Sequence, residues 1–416
     1  MTPANASRLV LAFARVLFVN GQATDETLGA GERLARALGL NATILPRWGE
    51  LELQMEDLDP PLPARVVAAD PAGVNMTRVV GAMRAFENVD PGTLPTSSAA
   101  DAVSAIAHLP PAPTWLFALA AGAGAVALAV LFGIEHLPSA LLIFASAAAG
   151  ALLRRGLAHI SDNLFLQPFA AALLAGLVGA LAVRLELSSS LRLVAVCPCM
   201  ILVPGPHFLN GMLDLLRGRV HLGAARLAYA LFVVVAIAAG LLLGLALLGV
   251  SLPVEPAGRA VPLWQDVLAA AVAVASYSVF FSTPLRMLLS PVAVGALAHA
   301  IRWGVLAAGA SAAMGALVAC LVVGSILTPL ARARHMPFAA IGFASVVSMM
   351  PGVFLFRMAS GLVQIAHDAG ATAELIGSTI ANGVTATTII PAMSFGIIVP
   401  KMVGDHVGRG RGRSRS

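Results

Sequence analysis

From about residue 114 to residue 402 the chain is a nearly unbroken series of apolar segments, and this feature limits the fold more than any other. A helical segment of about 20 apolar residues crosses roughly 30 Å of hydrocarbon. The runs are continuous rather than alternating, which favours helices over a barrel. Ten segments are read, at 114–134, 138–153, 164–184, 191–204, 223–251, 262–282, 284–300, 303–328, 337–350 and 371–400; the fourth and ninth are short. The whole chain of 416 residues is 58% hydrophobic and 11% charged. Soluble domains carry about 25% charge. The composition therefore excludes a disordered chain, a nucleic-acid-binding domain and an ordinary cytosolic enzyme, and predicts an α-helical polytopic membrane protein with the lipid bilayer as its surroundings.

Residues 1–108 differ in character and hold most of the acidic side chains. The apolar run Leu9–Val19 is too short to span a bilayer, and no signal peptide is expected. Leu9, Phe13, Val16 and Leu17 share a helical face. A second helix is predicted over Asp25–Leu38, with Thr24 as N-cap and Gly39 as stop. Asn41–Leu45, Glu50–Met55 and Ala64–Ala69 read as strands, and Val74–Phe86 as a helix. Pro91–Thr114 suits a linker or a short connecting helix. A small α+β domain is the expectation, followed by membrane repeats at 109–251 and 252–402 and a basic, disordered tail at 403–416. Cys197, Cys199 and Cys320 lack disulfide or zinc spacing, so no metal or cofactor is expected.

Arginine placement predicts direction. Arg154 and Arg155, Arg217 and Arg219, Arg286, Arg332, Arg334 and His335, and Lys401 with the tail all fall on one side if the N-terminus is cytoplasmic, against Arg184, Arg192, Arg259, Arg302 and Arg357 on the other. Both termini and the small domain are thus expected inside.

The two halves resemble each other. Segments two and seven each carry Pro early, small residues centrally, and Arg before Gly. The short segment four ends in Val203-Pro204-Gly205, and the short segment nine in Met350-Pro351-Gly352. Five spans per half place equivalent elements in opposite orientation, so two inverted-topology five-span repeats are expected. Matched Gly/Pro-interrupted segments point to a transport site near the midplane, because broken helices free backbone groups that substrate can satisfy. The alternative is that each Pro-Gly only ends a helix.

Ionisable groups at membrane depth are the next candidates. His207, Asn210 and Asp214 are spaced to share one helical face and would line a cavity. Asp214 could carry a proton or bind an ammonium group, or else pair with Arg217 or Arg226. Arg357 could receive a carboxylate, or else snorkel to the interface; Gln364, His367, Asp368 and Glu374 lie near it in sequence. In the last span Ser378, Asn382 and Thr385 fall close to one face, with Thr379, Thr387, Thr388 and Ser394 nearby. They suit a zwitterion, but also helix–helix hydrogen bonds. Asp266, Tyr277, Ser278 and Ser282 are weaker candidates. No P-loop, H-E-x-x-H or G-x-S-x-G motif is present, and no nucleophile–base constellation is legible.

The stretch Leu202–Arg226, LVPGPHFLNGMLDLLRGRVHLGAAR, carries L-V-P-G, then Asn210, Asp214, Gly218 and G-x-x-R. It resembles the threonine/serine exporter family of bacteria and fungi. So do Gly21–Gly39 and the P-G-V-F-L-F-R stretch from Pro351. The resemblance covers nearly the whole chain, in the fused two-half form. It implies a secondary exporter of small polar amino acids in a bacterial inner membrane, driven by the proton-motive force, with the family motif on Pro204, Gly205, Asn210, Asp214, Gly218 and Arg226. A C4-dicarboxylate exporter, using Arg226 and Arg357, is the alternative within this architecture; a channel or ligand sensor is the alternative outside it. Protons are the expected coupling ion. No nucleic-acid partner is expected, and a homo-oligomer is left open.

Overall fold

A computed structural model describes residues 2–55, 64–86, 96–134, 136–186, 191–251, 261–334, 336, 338–367 and 372–413. Helix α1 (Pro3–Val19) starts with proline in its first turn, and the Thr2 hydroxyl accepts from Asn5 N. Its apolar face is buried as the spacing predicts, with Phe13 and Leu17 almost fully enclosed. Helix α2 (Thr24–Ala37) leads to strands β1 (Ala42–Arg47), β2 (Gly49–Met55) and β3 (Arg65–Ala69), an antiparallel sheet in the order β1-β2-β3. Arg47 pairs with Glu50 across a two-residue turn whose second residue, Gly49, has φ +87°. Glycine takes that conformation without a Cβ clash. Leu51 and Leu53 alternate inward onto α1 with Ile44; each such side chain contributes about 1.5–3 kcal/mol. Helix α3 (Met76–Phe86) follows, and α4 (Thr96–Ala107) occupies the stretch read as linker or short helix.

The remaining helices are α5 (Thr114–Leu131), α6 (Leu137–Leu157), α7 (Leu166–Arg184), α8 (Leu191–Met200), α9 (Gly205–Leu216), α10 (Val220–Ala246), α11 (Leu263–Phe280), α12 (Leu289–Ala307), α13 (Ala312–Arg334), α14 (Phe338–Val346), α15 (Gly352–His367) and α16 (Ala373–Arg413). Among the described residues, eight helices are long and apolar enough to cross a membrane, or up to ten if two bent pairs each count as one span. The bent pairs are the short segments of the sequence. α8 and α9 meet at 52°, and α14 with its 3-10 turn (Val347–Met349) meets α15 at 56°. At each junction proline is followed directly by glycine, so a missing ladder N–H is joined to a residue that favours the helix least after proline; Pro329 and Pro391, without that glycine, stay inside continuous helices. α16 reaches Arg413, into the stretch expected as a disordered tail.

Helices pack closely where side chains vanish. On α10, Gly240 and Gly244 form a G-x-x-x-G face against α7, where an added Cβ at Gly244 would lie 3.0 Å from the Gly176 Cα. Small residues of this kind let backbones approach in an apolar medium.

The N-terminal unit is seated on the bundle. Met76 N and Thr77 N donate to the carbonyls of Phe281 and Ser282, at 2.9 and 3.1 Å. Asp25 pairs with Arg217 at 2.9 Å and Arg219 at 2.6 Å, and Glu26 with Lys401 at 2.7 Å. Arg155 donates to Ala112 O, just beyond the unit. Three of the predicted cationic helix ends, carrying Arg155, Arg217 with Arg219, and Lys401, thus gather at one face of the bundle.

Candidate functional site

The two Pro-Gly breaks meet. The Phe343 ring of α14 lies where a Cβ on Gly205 would stand, so only glycine fits there. Reciprocally, a Cβ on Gly352 would be 3.4 Å from Met200 at the end of α8. Pro204 and Pro351 each stand immediately before the glycine. Beside the first break is a cavity of about 20 Å³ lined by Gly205, Phe208, Phe343, Met350 and Ser394. That is room for about one water. An amino acid would need the two broken elements to part.

The predicted polar face of α9 is present, but it does not line an open cavity. The N-terminal unit covers it. His207 Nε2 is 3.1 Å from Pro71 O, Asn210 Nδ2 donates to Gly21 O at 3.2 Å, and the Thr24 hydroxyl donates to Asp214 Oδ2 at 3.0 Å. The cap of α2 is Ala23 rather than Thr24, which is the first residue of the helix, and the Thr24 hydroxyl is engaged across the interface. Asp214 also pairs with Arg226 at 3.2 Å and Arg219 at 3.6 Å. Arg217, the other partner anticipated for it, goes to Asp25. Arg226 is 1% exposed and lies 5.2 Å over the Phe18 ring. Among the described residues, His207 Nδ1 and Asn210 Oδ1 are buried without a hydrogen-bond partner. Such atoms call for water or a ligand.

Arg357 is 5% exposed, which corrects the snorkelling alternative: its guanidinium is drawn into the bundle. Gln364 donates to Ser360 at 3.0 Å, Glu374 is exposed, and Asp368 lies outside the described residues. The hydroxyls of α16 bond their own helix. Ser378 donates to Leu375 O and Thr385 to Ala381 O, while the Asn382 amide donates to Ser378 O. Back-bonding of this kind satisfies a hydroxyl locally. Ser378, Asn382 and Thr385 therefore do not join the breaks. Ser394 does; it stands 12 residues beyond Asn382, about 18 Å along the axis.

Sequence reasoning missed two things. One is the docking role of Gly21, Thr24, Asp25 and Glu26. The other is a cluster in the second half, where His299 Nδ1 is 2.6 Å from Asp266 Oδ1 and the Ser348 hydroxyl contacts His299 Nε2. This corrects the reading that no nucleophile–base arrangement exists. Its sequence signals were Asp266, read only as a weaker candidate, and a histidine on an apolar helix that was not singled out.

A family model for threonine/serine exporters matches residues 8–248, and a second, described as "Threonine/Serine exporter, ThrE", matches residues 266–403. A Mycobacterium tuberculosis protein named "Probable threonine/serine exporter" is 24% identical over 401 residues, covering 90% of this chain and 75% of that protein. No solved structure matches the chain. With both family models on one polypeptide, this is a multi-pass membrane protein that belongs to the threonine/serine exporter family, in its fused two-part form.

Proposed function

We propose that the chain exports threonine- or serine-like amino acids from the cytoplasm, coupled to entering protons, by alternating access. The observation that carries this reading is the reciprocal seating of the two breaks, Gly205 on Phe343 and Gly352 on Met200, beside a small cavity. Two broken spans that close on one point form a barrier that yields only if both move, as alternating access requires. In this reading the halves are inverted repeats and the N-terminal unit is cytoplasmic. The face of His207 and Asn210, with its two unpartnered polar atoms, is the entry route, closed here by Pro71 and Gly21. Substrate displaces those contacts and passes the breaks beside Ser394.

A zwitterion fits better than a dicarboxylate. Arg226 is already paired with Asp214 and so is not poised to receive a second carboxylate. The test is transport in proteoliposomes under an imposed pH gradient, with labelled threonine, serine, alanine, succinate and malate in parallel. Uphill movement of threonine or serine, abolished when the gradient is collapsed, is the expected result. Movement of succinate alone would replace the amino-acid reading with the dicarboxylate one. No uphill movement of any substrate would remove the carrier reading.

A further inference from the structure

Three polar side chains meet inside the apolar second half, on three different elements. Asp266 is in the first turn of α11, His299 is on α12, and Ser348 is in the 3-10 turn before Pro351. They are 6%, 1% and 6% exposed. Asp266 lies 15 residues from Phe281, which touches the N-terminal unit, so about 22 Å of helix separates the cluster from that face. It therefore sits toward the opposite face of the bundle from Asp214 and Arg226. α12 is tightly joined to α14, the helix that leads into that turn: Ser345 donates to Pro291 O at 3.2 Å, and an added Cβ at Gly295 would lie 2.9 Å from Ser345 O.

We propose that Asp266, His299 and Ser348 form the site that binds the coupling proton, and that the second broken span reads its occupancy. This deepens the export reading above and rests on it. In the neutral imidazole, Nδ1–H donates to the Asp266 carboxylate and Nε2 accepts from the Ser348 hydroxyl. A proton arriving at Nε2 makes both ring nitrogens donors. Ser348 can then no longer donate and must turn its oxygen lone pair toward the ring. The hydrogen bond reverses within the turn that leads into the 56° bend. Site charge changes from −1 to 0 on Asp266 and His299 together. Among the described residues, the charged group acting on the ring besides Asp266 is Arg302, one turn on in α12, and the Cys320 thiol of α13 lies near Arg302. A hydrolytic Ser-His-Asp arrangement needs its serine facing a substrate cleft. Here the serine is enclosed, and what it can pass on is a change in its hydrogen bond.

Trp303 lies one turn after His299 on α12, and its indole donates to Val261 O at 3.0 Å. It gives a readout independent of transport, since an imidazolium one turn away quenches indole fluorescence. In the purified full-length protein, fluorescence should titrate with pH, and the titration should vanish in both Trp303→Phe and His299→Gln. In proteoliposomes, His299→Gln should retain threonine exchange at equal concentrations across the membrane. It should lose threonine-evoked proton flux and at least tenfold of uphill accumulation. Ser348→Ala should keep the titration and lose at least fivefold of accumulation. His299→Gln that still accumulates threonine and moves protons like the native protein would overturn the proposal. So would loss of exchange together with accumulation, which would make His299 part of the fold or the substrate path. A native protein that shows the titration but no threonine-evoked proton flux would instead sink the export reading and leave the proton site standing.

Discussion

Removing the Arg226 cation tests how α9 is held in place. Arg226 Nε lies 3.2 Å from Asp214 Oδ2, with the two side chains 1% and 2% exposed. At an effective dielectric of about 20 the attraction at that distance is about 5 kcal/mol. Desolvation of both ions cancels most of it, so the intact pair adds little net stability, whereas stranding one member costs about 3–5 kcal/mol. Arg226→Met leaves Asp214 with the Thr24 hydroxyl and the more distant Arg219. Asp214→Leu leaves Arg226 with the Phe18 ring and a 3.4 Å contact to Thr24. Each single variant should lose about 3–5 kcal/mol, and the double variant only about 0–2 kcal/mol, because no ion is then buried alone. Denaturant titration of the purified protein in detergent micelles measures all three. If the two losses simply added in the double variant, to within about 0.5 kcal/mol, the pair would not be coupled and the reasoning would be refuted.

Asp25→Ala combined with Glu26→Ala removes three ion pairs to Arg217, Arg219 and Lys401. At about 0.2–1 kcal/mol each, amide exchange over residues 21–27 should quicken about threefold to a hundredfold; unchanged exchange would show that other contacts seat the unit. Gly205→Ala forces a Cβ into the Phe343 ring and should cost about 1–3 kcal/mol, with Phe343→Leu recovering part of the loss in the same denaturant assay. Thr385→Val should shift stability by less than about 0.5 kcal/mol, since its hydroxyl bonds its own helix at Ala381 O; a larger loss would mean a partner on another element. Gly244→Leu should prevent monodisperse purification, because the α7 backbone already fills that space.

The spans and the two breaks were legible because hydropathy and proline act locally. Pro204 and Pro351 are each followed by glycine, and that local pair marks the break, whereas Pro329 and Pro391 without it are carried inside helices. The sheet was legible for the same reason, through the alternation of Leu51 and Leu53. Partner choice was not. Thr24 has the chemistry of a cap, yet its hydroxyl goes to Asp214, 190 residues away. The spacing of His207, Asn210 and Asp214 foretold one polar face, but not that Pro71, Gly21 and Thr24 would cover it. That the hydroxyls of Thr385 and Ser378 bond the preceding turn of their own helix is not recorded in composition either. His299 was invisible since Asp266 and Ser348 reach it only through tertiary packing.

The mutual fit of the two breaks has a kinetic consequence. Phe343 occupies the space beside Gly205, and Met200 stands against Gly352. A rotation of α9 must push the α14 ring, and a rotation of α15 must clear the end of α8. Under the alternating access proposed above, the two halves would share one barrier at this contact, and enlarging the side chain at either glycine should slow both directions of exchange by the same factor.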